Sequence, residues 1–248
     1  SYDLTDKILF SGDAFGCFGA LNGAVLDTQM NTEPYWPEME RYFASILGKF
    51  CAPVRTALQK LGGLDITMIC STHGPVWTEQ TPRAIETYRR LSHGENRPGV
   101  VVCYGSMYGN TQRAAEAVAE GAARAGVKDI IVHNLSVSQP SFVLADIFRY
   151  NGLAIGGPTY NGGLFPVVED LLKRLAGREV CHHHLACFGG FTWSGQAVKT
   201  ITAYNEKMKM KPVSSPVEWK QGTGTETIAQ ARELGEALGR AVLDGTAC

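Results

Sequence analysis

Val100-Val101-Val102-Cys103-Tyr104-Gly105-Ser106-Met107-Tyr108-Gly109-Asn110-Thr111 reads as a strand, a glycine- and hydroxyl-rich loop, and the start of a helix. The strand shows no polar alternation, which suits a sheet covered on both faces. Glycines, hydroxyls and backbone N–H groups at a helix N-terminus make an anion site. No Lys or Arg lies in the loop, the first being Arg113. A phosphate there would be held by amides and hydroxyls. The Gly-Lys-Ser/Thr of a triphosphate loop is absent, and so is G-x-G-x-x-G. An ordinary βα turn with glycine at the bend fits the same residues, so the loop alone leaves both readings open.

Working outward, the strand–helix pattern recurs. The expected pairs are Val100–Tyr104 with Thr111–Arg124, Asp129–Asn134 with Ser141–Tyr150, and Leu153–Gly157 with Pro166–Leu175. Glu179–Phe188 with Gly195–Lys207, and the weaker Val213–Trp219 with Glu226–Leu243, complete the series. Five βα units make an α/β doubly wound, five-stranded parallel sheet, whose ligands bind beyond the strand C-terminal ends. Two further loops fall on that edge, Gly156-Gly157-Pro158-Thr159-Tyr160-Asn161-Gly162-Gly163 and Phe188-Gly189-Gly190-Phe191-Thr192-Trp193-Ser194-Gly195. Each combines glycines, which admit close backbone approach, with aromatics, which stack on flat rings. Together the three loops suit a planar ring with a phosphorylated tail.

Upstream, Ser92-His93-Gly94-Glu95-Asn96-Arg97-Pro98-Gly99 reads as a linker, dividing the chain into domains 1–97 and 98–248. The first is less regular. Lys7–Phe10 and Ile66–Cys70 read as strands, and Glu38–Leu61 carries a helical period that Pro53 is expected to break. Two strands are few for an independent core. The segment therefore reads as the tail of a larger domain. Asp13 and His73 each stand just past one of these strands, on one sheet edge, where metal ligands are common. A loop carboxylate and a hydrogen-bonded histidine explain them equally well when taken alone.

Composition narrows the classes. Of 248 residues 44% are hydrophobic and 19% charged, which is globular. The net charge of −1 argues against a nucleic-acid partner. No apolar run is long enough to span a membrane, and residues 1–6 do not read as a secretion signal. The seven cysteines form no CxxC pair, so reduced thiols in a cytoplasmic protein are expected.

The loops carry a resemblance to the flavodoxin-like domain. Ser106, Met107, Tyr108, Gly109, Asn110 and Thr111 resemble the phosphate loop for flavin mononucleotide (FMN), with Tyr108 where simple flavodoxins usually place Thr. Pro158, Thr159, Tyr160, Asn161 and Gly162 resemble one ring-flanking loop. Gly190, Phe191, Thr192, Trp193, Ser194 and Gly195 resemble the other. The resemblance implies that the Ser106 and Thr111 hydroxyls and loop amides hold the phosphate. Backbone of Thr159–Gly162 and Trp193–Gly195 would bond the ring edge, with Tyr160 and Trp193 stacking on it.

Phe10-Ser11-Gly12-Asp13-Ala14-Phe15-Gly16 and Ser71-Thr72-His73-Gly74-Pro75 are similar to the C-terminal part of the metallo-β-lactamase-like domain of flavodiiron proteins, which precedes an FMN domain. That resemblance implies an incomplete αββα metallo-β-lactamase-like segment. Asp13 would be a carboxylate bridging two irons, and His73 a terminal ligand. The family's upstream HxExDH motif and further His are absent from this sequence. The di-iron site is therefore expected to be incomplete here, through truncation or because another chain supplies the rest.

His182-His183-His184 is read as a solvated strand edge. Lys207, Lys209 and Lys211 are either a docking patch for an acidic donor or a solvated helix end. The implied function is oxidoreduction. Electrons from rubredoxin or an NAD(P)H-linked reductase would pass through FMN to a di-iron site that reduces dioxygen to water or nitric oxide to nitrous oxide. A head-to-tail homodimer is implied as well. The alternative is an FMN electron carrier without metal catalysis. A metallohydrolase is a third reading, which the FMN loops disfavour.

Overall fold

In the computed structural model, which describes residues 1–178, 180 and 182–245, the chain divides into two compact units, Ser1–Glu95 and Asn96–Cys248. The first unit holds β1 (Tyr2–Asp3), β2 (Ile8–Gly12), α1 (Tyr35–Tyr42), α2 (Cys51–Leu61), β3 (Met68–Ser71) and α3 (Thr81–Ser92). Its sheet has the order β1-β2-β3, with β2 and β3 parallel. Buried aromatics fill the core: Trp36 stacks on Trp77 at 4.7 Å between centroids, and the Trp77 indole donates to the Phe15 carbonyl at 2.9 Å. The helical run does not break at Pro53 as expected. It is interrupted earlier, by a π-turn over Phe43–Leu47 and a 3-10 turn over Gly48–Phe50. Pro53 sits in the first turn of α2, where a missing N–H leaves no helical bond unmade.

The second unit contains β4 (Arg97–Tyr104), α4 (Asn110–Arg124), β5 (Ile130–Asn134), α5 (Pro140–Arg149), β6 (Tyr150–Tyr160), β7 (Gly163–Leu164) and α6 (Pro166–Ala176). It continues through β8 (His184–Phe191), α7 (Ala197–Met208), β9 (Lys211–Pro212), β10 (Val217–Lys220) and α8 (Thr225–Leu243). The five main strands run in the order β10-β8-β6-β4-β5, all neighbours parallel. That is the doubly wound arrangement expected, with two short strands added: β7 antiparallel to β6, and β9 parallel to β8.

Each chain reversal follows from local chemistry. Apolar runs such as Val100–Cys103 are fully buried because helices cover both faces. Val100, Val102 and Tyr104 meet α4 and α8 in one cluster with Phe188 and Trp219. Val101, Cys103, Leu153 and Ile155 are buried on the alternate positions, and α5, α6 and α7 also pack on these strands. α4 and α8 approach closely. A Cβ on Gly121 would lie 2.0 Å from the Arg232 carbonyl oxygen, and one on Gly235 would lie 2.0 Å from that of Val118.

Several boundaries differ from expectation, among them the start of β4, at Arg97 and not Val100. The central strand β6 is longer at both ends. The first residue of β8 is His184, not Glu179, and Glu179 and Cys181 lie outside the described residues, as does Cys248. The fifth strand begins at Val217. The histidine triplet is not a solvated edge: His182 is exposed, but His183 and His184 are buried. The His183 Nε2 lies 2.7 Å from the Ile147 carbonyl, and burial lowers its pKa to about 4. A neutral ring donating to a carbonyl tolerates the interior, which a charged one would not. Cys17, Cys51, Cys70, Cys103 and Cys187 are free thiols.

Candidate functional site

The anion loop forms where β4 ends. The Gly105 N–H donates to Gly156 O across the sheet at 3.0 Å. The Ser106 hydroxyl oxygen then accepts from the Gly109 N–H at 3.1 Å, closing a tight turn. Gly109 takes φ +83° as the residue before α4, a conformation that costs glycine least. The chain is thereby aimed so that the first amides of α4 face the loop, with Thr111 buried and Tyr108 almost fully exposed. Asn110 is engaged elsewhere. Its side-chain oxygen accepts from the Thr223 N–H at 3.3 Å, and Arg113 donates to the Thr223 carbonyl at 3.4 Å.

The second loop follows β6. Thr159 and Tyr160 pair with Leu164 and Gly163, leaving Asn161-Gly162 as a two-residue hairpin turn with φ +48° and +75°. Both values suit a type I′ turn, for which Asn-Gly is the preferred sequence. The Thr159 hydroxyl oxygen accepts from the Gln196 and Ala197 N–H groups at 2.9 and 3.2 Å, joining this loop to the start of α7. Tyr160 meets Phe165 edge-on at 5.8 Å and keeps 45% of its surface exposed.

The third loop follows β8. Gly190 lies against the Trp219 indole, where a Cβ would stand 2.7 Å from Nε1, so only glycine fits. Trp193 is 87% exposed. The Gln221 N–H donates to Phe191 O at 2.6 Å.

Ser106, Met107, Tyr108, Asn110, Thr111, Pro158, Thr159, Gly190, Phe191 and Thr192 line one cleft of about 120 Å³. Gly109, between the lining residues Tyr108 and Asn110, is not itself part of the lining. Tyr160, Asn161, Gly162, Trp193, Ser194 and Gly195 stand outside its lining. Two lining residues escaped the sequence reading, Trp219 and Gln221. The signal was present: Trp219-Lys220-Gln221-Gly222-Thr223-Gly224 is a fourth glycine-bearing loop at the end of a strand on the same edge. Among the described residues no Asp, Glu, Lys or Arg lines the cleft. The donor set is amides and hydroxyls on a left-handed glycine turn, which fits a phosphate monoester with a neutral ring system.

In the first unit, Asp13 and His73 come together as expected from their places beyond β2 and β3. The His73 Nε2 lies 3.6 Å from Asp13 Oδ1, and the Thr72 hydroxyl donates to the same oxygen at 3.0 Å. Tyr42 packs on the His73 ring at 5.5 Å. Gly74, at φ +85°, lets the chain pass Cys17, whose Sγ would be 2.2 Å from a Cβ there. Burial pushes the Cys17 thiol up to about 12, so it is protonated. Both side chains of the pair are more than half exposed. Among the described residues no three His, Cys, Asp or Glu side chains gather to hold a metal. The pair offers two donors, which do not by themselves fit a bimetallic centre. Among the described residues no helix is long and apolar enough to cross a membrane.

The family model "Flavodoxin" matches residues 102–235. The anaerobic nitric oxide reductase flavorubredoxin of Vibrio vulnificus is 29% identical over 97% of this chain and 49% of its own length. The crystal structure of the flavodiiron protein from Giardia intestinalis superposes with a TM-score of 0.92 and 30% identity, over 98% of this chain and 60% of that one. The rubredoxin oxygen:oxidoreductase of Desulfovibrio gigas superposes with a TM-score of 0.93 over 98% of this chain and 61% of that one, at 23% identity. The likeness to these neighbours supports the expected fold class for this chain, a flavodoxin-like sheet preceded by a partial metallo-β-lactamase-like segment. The chain spans about half the length of the Vibrio relative and three-fifths of the two structures.

Proposed function

Because this chain belongs to the flavodoxin family, whose cofactor is FMN, we propose that the cleft at the ends of β4, β6 and β8 holds FMN. The observation that carries the reading is the amide-and-hydroxyl cradle at Ser106–Thr111, built on the left-handed Gly109, with no charged side chain in the cleft lining among the described residues. Ser106 and Thr111 hydroxyls and the loop amides would hold the phosphate, at the positive end of the α4 dipole. Backbone of Thr159–Gly162 and Trp193–Gly195 would bond the ring edge, and the exposed Tyr160 and Trp193 would stack on the ring. When bound, the cofactor supplies one- and two-electron redox chemistry, which these contacts tune. Titration with FMN and with riboflavin tests the assignment. FMN is expected to bind with one equivalent per chain and at least tenfold tighter than riboflavin, whereas equal affinities would overturn the phosphate loop.

For the longer protein, the relatives support flavodiiron oxidoreduction. Electrons would come from a small donor such as rubredoxin or an NAD(P)H-linked reductase, and the overall reaction would reduce dioxygen to water or nitric oxide to nitrous oxide. Asp13 would serve as the bridging carboxylate and His73 as an imidazole ligand, with the remaining ligands from outside the described residues. A cytoplasmic, head-to-tail homodimer belongs to the same reading. The two-donor geometry of Asp13 and His73 keeps a second reading in play, an FMN electron carrier without metal catalysis. Iron analysis of the full-length protein separates them: about two irons per chain supports the reductase, and none with full FMN supports the carrier.

A further inference from the structure

A second cluster of reactive side chains lies in the flavodoxin unit, apart from the FMN cleft. His133 is the penultimate residue of β5, Ser138 sits in the loop after it, and Asp146 lies on α5. The His133 Nε2 is 2.9 Å from Asp146 Oδ2, and its Nδ1 is 3.3 Å from the Ser138 hydroxyl. Arg149 donates to the other Asp146 oxygen at 3.0 Å. The carboxylate fixes the tautomer: Nε2 carries the proton and donates to Asp146, leaving the Nδ1 lone pair to accept from Ser138. His133 and Asp146 side chains are 12% and 14% exposed, so the relay is shielded from water.

Ser138 opens onto a cleft of about 360 Å³ that the FMN site does not use. Its walls are mostly apolar, including Leu135, Pro140, Val143, Val167 and Leu171. The Asp170–Arg174 ion pair, at 2.7 Å, also lines it. The first turn of α6 contributes Pro166 and Val167 to the wall. A nucleophile, a base oriented by a carboxylate, and an apolar pocket of ligand size therefore meet at one place.

We infer that Ser138, His133 and Asp146 form a nucleophilic serine site that cleaves small esters with an apolar acyl group. Ser138 Oγ bonds to the ester carbonyl carbon while its proton passes to His133 Nδ1. The C–O bond to the leaving alcohol then breaks, and the alcohol takes that proton. Water, deprotonated by His133, releases the carboxylic acid and restores Ser138. Ser138 and His133 are the catalytic residues, and Asp146 positions His133.

The test uses the whole chain, with p-nitrophenyl butyrate as substrate and a fluorophosphonate as probe. Ester hydrolysis is expected to fall at least 100-fold in Ser138→Ala and in His133→Gln, with FMN binding unchanged. Intact-mass and peptide mapping of the wild-type chain is expected to place one phosphonyl adduct on Ser138, which decides the question even where a variant fails to fold. Asp146→Asn is expected to lower kcat for the ester at least tenfold with KM unchanged, because His133 loses the carboxylate that orients its ring. An adduct elsewhere, no adduct, or hydrolysis undiminished in Ser138→Ala would overturn the inference.

Discussion

At the residue scale, function and stability rest on a few exposed or deeply buried side chains. Trp193, 87% exposed at the sheet edge, spends no packing on the fold. Trp193→Ala is therefore expected to leave the melting temperature unchanged and to weaken FMN binding about fivefold, the loss of a stacking contact near 1 kcal/mol. Fluorescence titration checks this, and unchanged affinity would remove Trp193 from the site. His183 acts oppositely. Burial lowers its pKa to about 4, below the unfolded value of 6.5, so the unfolded chain binds a proton that the folded one refuses. The stability that depends on a neutral ring is complete above pH 6.5 and drains away as pH falls toward 4. The loss amounts to roughly 3 kcal/mol across that window. Urea unfolding at pH 7.5 and 4.5 measures it, and His183→Leu is expected to flatten the dependence.

At the scale of elements, the tightest joint is α4 against α8. Gly121→Ala or Gly235→Ala would push a methyl into backbone 2.0 Å away, and each is expected to cost about 3 kcal/mol in denaturant unfolding. The sequence announced these elements but not how closely they pack. Val100–Tyr104 was readable as a strand because every residue in it is buried. The β8 start was misread because His183 finds its partner in Ile147, thirty-six positions away, and no local pattern reveals such a bond. Pro53 was misread as a breaker because a proline ends a helix or opens one by the same covalent constraint. The candidate site was legible in three of its loops. The fourth was missed because Trp219 reaches the cleft by pairing beside Gly190 and Gln221 by donating its N–H to Phe191 O, contacts that exist only once the sheet is assembled.

At the scale of the molecule, the two units divide the chemistry. A polypeptide of residues 96–248 is expected to bind FMN within about twofold of the whole chain, since every residue lining the cleft lies in that unit; absorbance titration of both decides it. Residues 1–248 alone are expected to hold fewer than two irons and to show no dioxygen or nitric oxide reductase turnover, because the described residues bring together only Asp13 and His73. Substantial turnover by this chain would refute that. The loops around the cleft are fastened to one another before any ligand arrives: Thr159 to Gln196 and Ala197, Asn110 to Thr223, and Gln221 to Phe191. A frame so tied loses little freedom on capture, so encounter rates should vary little among variants of the cleft. Weakened variants would differ from the parent in residence time, releasing the cofactor sooner rather than admitting it more slowly.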